Sequence, residues 1–216
     1  MKVGTDGTLV GAWGSVERAR RILDIGTGTG LIALMAAQRT PDAAVVGVEI
    51  DVEAAAQAQE NVRQSPWDER IEIVRTDVKD YMPGEGFDAI LSNPPYFVNA
   101  LKCPDAGRST ARHTDGLPFG DLMRHVARLL NPDGVFSVII PTAAVQDIIG
   151  FGIDNRLYPV RKTWVQTTPK AQPKRCMLAF RFSPAEIVQE DTLVIQLAPL
   201  QYSEEYRRLT GEFYLK

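Results

Sequence analysis

Four consecutive residues, Asn93-Pro94-Pro95-Tyr96, combine two hydrogen-bond acceptors with a flat ring. The Asn93 side-chain oxygen and the Pro94 carbonyl can both accept from one planar NH2 group. An exocyclic aromatic amine is a poor nucleophile because its lone pair is delocalised into the ring. Two acceptors on its hydrogens favour a pyramidal nitrogen and free the lone pair for in-line attack on an electrophilic carbon. They also stabilise the positive charge that grows on nitrogen. Pro94 and Pro95 hold the acceptors still and remove competing backbone donors. Tyr96 offers a face on which an extruded base can stack. No strong general base is required, since the substituted amine becomes acidic and loses its proton to water afterwards. Positioning and electrostatics then carry the rate. A bland turn would explain Pro-Pro alone, but not the whole tetrapeptide.

A second signal lies upstream, in Asp24-Ile25-Gly26-Thr27-Gly28-Thr29-Gly30. The run follows an apolar strand-length segment and opens a helix-period one, the context in which a glycine motif carries meaning. Glycine permits positive φ and lets a ligand approach the backbone closely. A dinucleotide fingerprint wants its third glycine three residues after the second. Leu31 occupies that position, which disfavours a nicotinamide oxidoreductase. Further on, Glu49 closes an apolar run in Gly47-Val48-Glu49-Ile50-Asp51. A carboxylate there can accept from both hydroxyls of a ribose, Ile50 can pack on the face of a base, and Asp51 reads as the cap of the next helix.

The elements that must position these residues alternate in type. Strands are expected over residues 21–25, 44–48, 71–75, 87–91 and 135–140. Helices are expected over 31–39 (Leu31, Leu34 and Met35 on one face), 52–64, 121–130 and 143–149. The helix over 121–130 stops at Asn131-Pro132-Asp133-Gly134, a strong turn signal. The alternation predicts repeated βα units around a parallel sheet. Two last runs, 158–167 and 176–182, have no helix between them and form an antiparallel hairpin through residues 168–173. Asn93 leaves the fourth strand directly. Ligands of open parallel sheets bind at the carboxyl ends of strands, near the switch in strand order.

With 216 residues and no linker or repeat, one α/β domain is the expectation. No apolar run reaches the roughly 20 residues that span a bilayer, and no signal peptide opens the chain. Cys103 and Cys176 lie far apart and outside any metal-ligand spacing, so neither a zinc site nor a disulfide framework is expected, and a cytoplasmic setting fits. The formal net charge of −3 argues against non-specific coating of nucleic acid. Basic residues nonetheless cluster without acids from Arg156 to Arg181: Arg161, Lys162, Lys170, Lys174 and Arg175 lie between those two. Such a stretch either holds phosphates or is a strand face balanced by acids elsewhere. His125 falls on a helical period with Leu122 and Leu129 and reads as structural. Trp13, Trp67 and Trp164 read as packing residues, with Trp164, if exposed, able to stack a base.

The pattern Asp-x-Gly-x-Gly-x-Gly resembles the S-adenosylmethionine (AdoMet) loop of class I methyltransferases. The resemblance implies a Rossmann-like α/β fold with a largely parallel seven-stranded sheet, a C-terminal antiparallel hairpin and helices on both faces. It also implies a cofactor site built from Asp24, Gly26, Thr27, Gly28, Gly30, Glu49, Ile50 and Asn93, with Asp77 and Val78 reading the adenine and no metal.

Further motifs stand in order: Lys2-Val3-Gly4-Thr5-Asp6-Gly7, Gly11-Ala12-Trp13, Ala36-Ala37-Gln38-Arg39, Ser92–Phe97, Arg112-His113-Thr114, Pro173-Lys174-Arg175 and Glu212-Phe213-Tyr214-Leu215. Together they resemble the bacterial tRNA1(Val) adenine-N6 methyltransferase family, essentially from end to end. That family modifies the adenosine beside the anticodon of one valine tRNA. The resemblance implies tRNA as partner, with no membrane and no obligate protein partner. It places Lys2, Gly4, Thr5 and Asp6 at the methionine end of AdoMet; from the sequence alone, Asp6 is a helix-cap candidate. The family's Phe/Lys/Gln-rich opening segment is missing ahead of this run, which implies a shortened start and bears on competence for RNA. Tyr96, Phe97, Arg108, Arg112, His113, Arg161, Lys162, Lys174 and Arg175 are the candidate RNA contacts. The irregular loop over residues 98–116 reads as a lid.

Release-factor glutamine methyltransferases also carry Asn-Pro-Pro-Tyr, but only residues 1–20 precede the first strand, too few for the helical domain of that class. The alternatives left open are another planar amine (an rRNA or DNA base, or a glutamine amide) and a non-catalytic RNA-binding module.

Overall fold

The computed structural model describes residues 4–95 and 117–214. Strands β1 (Arg21–Ile25), β2 (Ala44–Glu49), β3 (Ile71–Arg75), β4 (Phe87–Ser92) and β5 (Leu130–Pro141) are all parallel. They are followed by β6 (Tyr158–Gln166) and β7 (Arg175–Arg181), which pair antiparallel as expected. All seven expected strands therefore lie in one sheet. An eighth, β8 (Gln189–Val194), adds parallel to β6, giving the order β3-β2-β1-β4-β5-β7-β6-β8. The order reverses between β1 and β4, which is where such sheets bind ligands. A short antiparallel pair, β9 (Gln196–Ala198) and β10 (Gln201–Tyr202), follows.

Buried runs explain the central strands: Ile22 to Ile25, Val45 to Glu49 and Leu91 to Ser92 are covered on both faces. Helices α1 (Thr5–Trp13), α2 (Leu31–Arg39), α3 (Val52–Arg63) and α6 (Glu204–Thr210) contribute Leu9, Ile32, Val62 and Tyr206 to one hydrophobic layer. Helices α4 (Phe119–Leu129) and α5 (Val145–Asp154) contribute Leu122, Met123 and Ile148 to the other. The Asp51 carboxylate caps α3, accepting from the Ala54 N–H at 2.8 Å.

The segment Asn131–Gly134 is not a free turn. It lies inside β5, as an irregularity in which the partner of β4 jumps from Leu130 to Val135. Asn131 donates there to Asp88 at 2.8 Å, which holds the excursion against β4. Only a short capped segment after Asp6 was expected; α1 starts before it, at Thr5, and runs to Trp13. It carries Gly7 and Gly11, which sit where Leu31 and Met35 of α2 leave room for little more than hydrogen.

Candidate functional site

Register brings the chemical residues to one level. Ile25 lies opposite Val48 on one side and Ser92 on the other, and Ser92 Oγ donates to the Ile25 carbonyl at 2.9 Å. Gly26, Glu49 and Asn93 are the next residues of three adjacent strands. Glu49 is in turn paired with Arg75 at the end of β3, and Asp77 lies two residues beyond it. Neighbouring strands lie about 4.8 Å apart. The four strand ends thus form a row, from Asp77 through Glu49 and the glycine turn to Asn93.

The glycine turn is closed by backbone bonds and needs residues that reach positive φ. The Gly26 and Thr27 N–H groups donate to the Val48 carbonyl at 2.9 and 3.1 Å. Gly26, Gly28 and Gly30 have φ of 71°, 58° and 86°, a region that costs an L side chain roughly 1–2 kcal/mol. A Cβ on Gly26 would meet nothing within 4 Å, so open space adjoins that strained backbone.

Asp24 is fully buried beneath the turn. One carboxylate oxygen accepts from Thr27 Oγ1 at 2.5 Å and from the Ala33 N–H at 3.2 Å. The other, Oδ1, has no hydrogen-bond partner. Burial pushes this carboxyl up to about 7, against the Thr27 and Ala33 hydrogen bonds, and the Glu49 charge adds to the rise. A cation near the turn would reverse that balance.

Glu49 accepts from the Gly28 N–H at 2.8 Å and from the Asp51 N–H at 2.9 Å, one on each oxygen. A carboxylate has about four lone-pair sites, so two remain for ligand hydroxyls. Ile50, beside it, is 66% exposed, an apolar face left open at the rim. Asp77 accepts from the Lys79 N–H at 3.0 Å and pairs with Lys79 Nζ at 3.1 Å. Burial works to raise the Asp77 carboxyl, but the Lys79 hydrogen bonds and charge outweigh it and hold it below the usual range. Val78 is buried.

Asn93 is half-buried, Pro94 buried and Pro95 exposed. A Cβ on Gly7 would lie 3.9 Å from Asn93 Nδ2 and 3.2 Å from Leu31 Cδ2, so the first turn of α1 stands between the amide and the helix that follows the glycine turn. Gly4 is the N-cap of α1 and makes no side-chain cap. The expectation that Asp6 caps a helix is therefore corrected. Asp6 lies inside the first turn and pairs with Arg175 Nε at 2.8 Å.

The basic stretch is divided by its pairing. Arg181 lies opposite Tyr158, whereas Arg175 lies opposite Pro141 at the carboxyl end of β5. Arg156 and Arg181 thus sit at the edge away from the site, and Lys170, Lys174 and Arg175 at the site edge. Arg161 and Lys162, in mid-strand, meet acids of β8: Arg161–Asp191 at 3.9 Å and Lys162–Glu190 at 2.8 Å. Arg161 also lies over the Trp13 ring, 4.4 Å from its centroid. Trp164 is not an open stacking platform. It is half-buried, with Nε1 donating to Glu190 at 2.6 Å and Lys162 over its ring. His125 is half-buried on α4, where burial lowers its pKa. Lys2, Tyr96, Phe97, Arg108, Arg112, His113 and the expected lid over 98–116 lie outside the described residues.

Arg128 was not singled out from the sequence. From the end of α4 it donates to the Val78 carbonyl at 3.0 Å and the Tyr81 carbonyl at 2.8 Å, fixing the segment after β3. Its place in the helical period marks it as outward-facing but not as a donor to these carbonyls. Among the described residues no group of His, Cys, Asp or Glu could hold a metal ion. No helix there is long and apolar enough to cross a membrane.

The row suits a cationic nucleoside. It offers an apolar face and a carboxylate with spare capacity on the β2 side, an unpartnered buried carboxylate oxygen under the turn, and an amide acceptor at the far end.

Comparisons with known proteins bear on the family and the fold. Residues 9–142 match the model of the methyltransferase small domain family. A tRNA1(Val) (adenine(37)-N6)-methyltransferase from Bacteroides thetaiotaomicron is 51% identical, over all of this chain and 91% of its own length. One from Aeromonas hydrophila is 44% identical, again over all of this chain and 91% of its own length. Among solved structures, a predicted O-methyltransferase from Agrobacterium tumefaciens superposes with a TM-score of 0.76, over 96% of both chains at 21% identity, a likeness of fold.

Proposed function

The chain belongs to the methyltransferase small domain family and to the family of its tRNA1(Val) (adenine(37)-N6)-methyltransferase relatives, and from that premise we propose that it transfers the AdoMet methyl group to N6 of an adenine in tRNA, the adenosine beside the anticodon of tRNA1(Val). The observation that carries the reading is the row of strand ends from Asp77 to Asn93. It matches the length and chemical order of a nucleoside whose reactive end must meet an amine.

AdoMet, when bound, supplies an electrophilic methyl carbon on a sulfonium. The chain's residues do the rest. Glu49 holds the ribose hydroxyls, Ile50 covers one face of the adenine, and Asp77 and Val78 read its edge. Asp24 and the backbone of Gly26, Thr27, Gly28 and Gly30 form the wall beside the donor's charged end, with Gly4, Thr5 and Asp6 closing it and Lys2 as a further expected contact. Asn93 and the Pro94 carbonyl accept from the target NH2, raising the electron density on N6 and stabilising its developing charge. Pro95 stiffens the turn, and Tyr96 and Phe97 stack the flipped base. The methylated nitrogen then releases its proton to water. Lys174 meets the RNA backbone from the site edge, and the RNA contacts expected of Arg108, Arg112 and His113 belong to the same reading, in a cytoplasmic setting.

Incubation with tritiated AdoMet and separate pools of unmodified tRNA, DNA and release factor tests the reading. Label is expected in tRNA as N6-methyladenosine, with Asn93→Ala slower by about 10² while AdoMet affinity is nearly kept. Label entering DNA or protein instead, or donor binding with no product in any pool, would overturn it.

A further inference from the structure

We infer that Arg175 is a positioning residue for the donor pocket: through Asp6 it holds the first turn of α1 in place as the wall between the glycine turn and Asn93. The inference rests on the AdoMet reading above.

Arg175 and Asp6 are 169 residues apart in the chain and meet at 2.8 Å. The β6 cations Arg161 and Lys162 take acids from the adjacent strand, whereas this pair joins β7 to a separate helix. The Arg175 end is a fixed post. Its strand neighbours are Pro141 of β5 on one side and Val165 of β6 on the other, and its guanidinium also donates to the Lys174 carbonyl at 3.1 Å. The Asp6 side chain has Arg175 as its partner among the described residues. Gly4 gives α1 no side-chain cap, so the first turn lacks the usual anchor. Beside the Asp6 carboxylate, the Thr8 N–H and Oγ1 both donate to the Gly4 carbonyl, at 3.3 and 3.4 Å. Asp6 also lies at the positive end of the helix dipole, which favours the charge that Arg175 grips.

Gly7 gives the pairing its consequence. The backbone next to Asp6 is packed so that an added Cβ would press on Leu31 and approach the Asn93 amide. Movement of Asp6 would therefore move a wall shared by the helix after the glycine turn and the catalytic amide. An ion pair with side chains 33% and 25% exposed adds little to global stability. A displacement of about 1 Å at a reacting site, in contrast, can cost 10²-fold. Loss of Arg175 should thus be felt locally and hardly at all in unfolding.

Calorimetric titration of the full chain with AdoMet alone, without RNA, tests this. Arg175→Ala should weaken AdoMet binding about tenfold and leave the thermal midpoint within about 3 °C. Arg175→Lys should recover most of the affinity, since a point charge keeps the pair without the fork. Amide exchange in the donor-free protein should be faster at Thr8 in Arg175→Ala. Unchanged AdoMet affinity would overturn the inference. So would a loss confined to tRNA affinity and its salt slope, which would make Arg175 a phosphate contact. If Arg175→Ala does not fold, Arg175→Gln carries the same two outcomes. Wild-type chain that binds no AdoMet would sink the underlying reading and the inference together; wild-type binding with no effect of Arg175 sinks the inference alone.

Discussion

The parallel half of the sheet and its antiparallel end both carry charged residues in short runs, yet they differ in what those residues have left to offer. At the carboxyl ends of β1 and β2, polar groups keep unused capacity. Asp24 Oδ1 has no partner, Glu49 has lone pairs to spare, and Ile50 stands open. Along β6 and β7 the charges are paired within the protein, Lys162 with Glu190, Arg161 with Asp191 and Arg175 with Asp6, although Arg161 Nε makes no hydrogen bond. The first pattern is that of groups able to hold a ligand, the second that of a braced edge. A run of basic residues in a sequence therefore says little about nucleic acid until the strand beside it is known.

The sharpest way to break the comparison is the pH dependence of donor affinity. Asp24 is an acid whose folded pKa, about 7, lies above its ordinary value of 3.8. The folded chain holds a proton there that the unfolded chain releases, so the stability tied to that proton is present at low pH. It is lost as pH rises from about 4 to about 7. A cationic donor favours the ionised form, so its affinity should rise with pH and be about tenfold tighter at pH 8 than at pH 6. Asp24→Asn should flatten that profile and stabilise the donor-free protein more at pH 8 than at pH 4. A wild-type profile with no slope between pH 6 and 8 would mean that the buried carboxylate takes no part.

A smaller effect sharpens the other side. Lys170 and Lys174 are exposed at the site edge, whereas Arg161 and Lys162 are half-buried against β8. Lys170→Gln with Lys174→Gln should lower the salt slope of tRNA binding by about one to two units. Arg161→Gln with Lys162→Gln should leave that slope unchanged. Equal changes from both pairs would erase the distinction between braced and available charge.

Much of the parallel half was legible in the sequence because its signals are local. A glycine run bracketed by a strand and a helix fixes the bounds of β1 and α2, and an aspartate before an Ala-rich run marks the cap of α3. What escaped was non-local or unpatterned. Helix α1 is buried through Gly7 to Trp13 and holds two glycines, so no polar face revealed its period. Strand β8 is the reverse case, an edge of largely exposed Gln189, Glu190, Asp191 and Thr192 with no alternation to read. Without β8 the acids that brace Arg161 and Lys162 could not be assigned. No spacing rule could join Asp6 to Arg175, nor show that Trp164 spends its N–H on Glu190. The tetrapeptide at Asn93 was found because its chemistry needs consecutive residues; the row it completes needed the register of four strands.

The structure of the chain crystallised with S-adenosylhomocysteine is the most direct measurement. The account requires the ribose hydroxyls on the Glu49 carboxylate, the adenine over Ile50, and the sulfur beside the Asn93 amide. A ligand whose ribose lies away from Glu49, or whose sulfur is turned from Asn93, would contradict it.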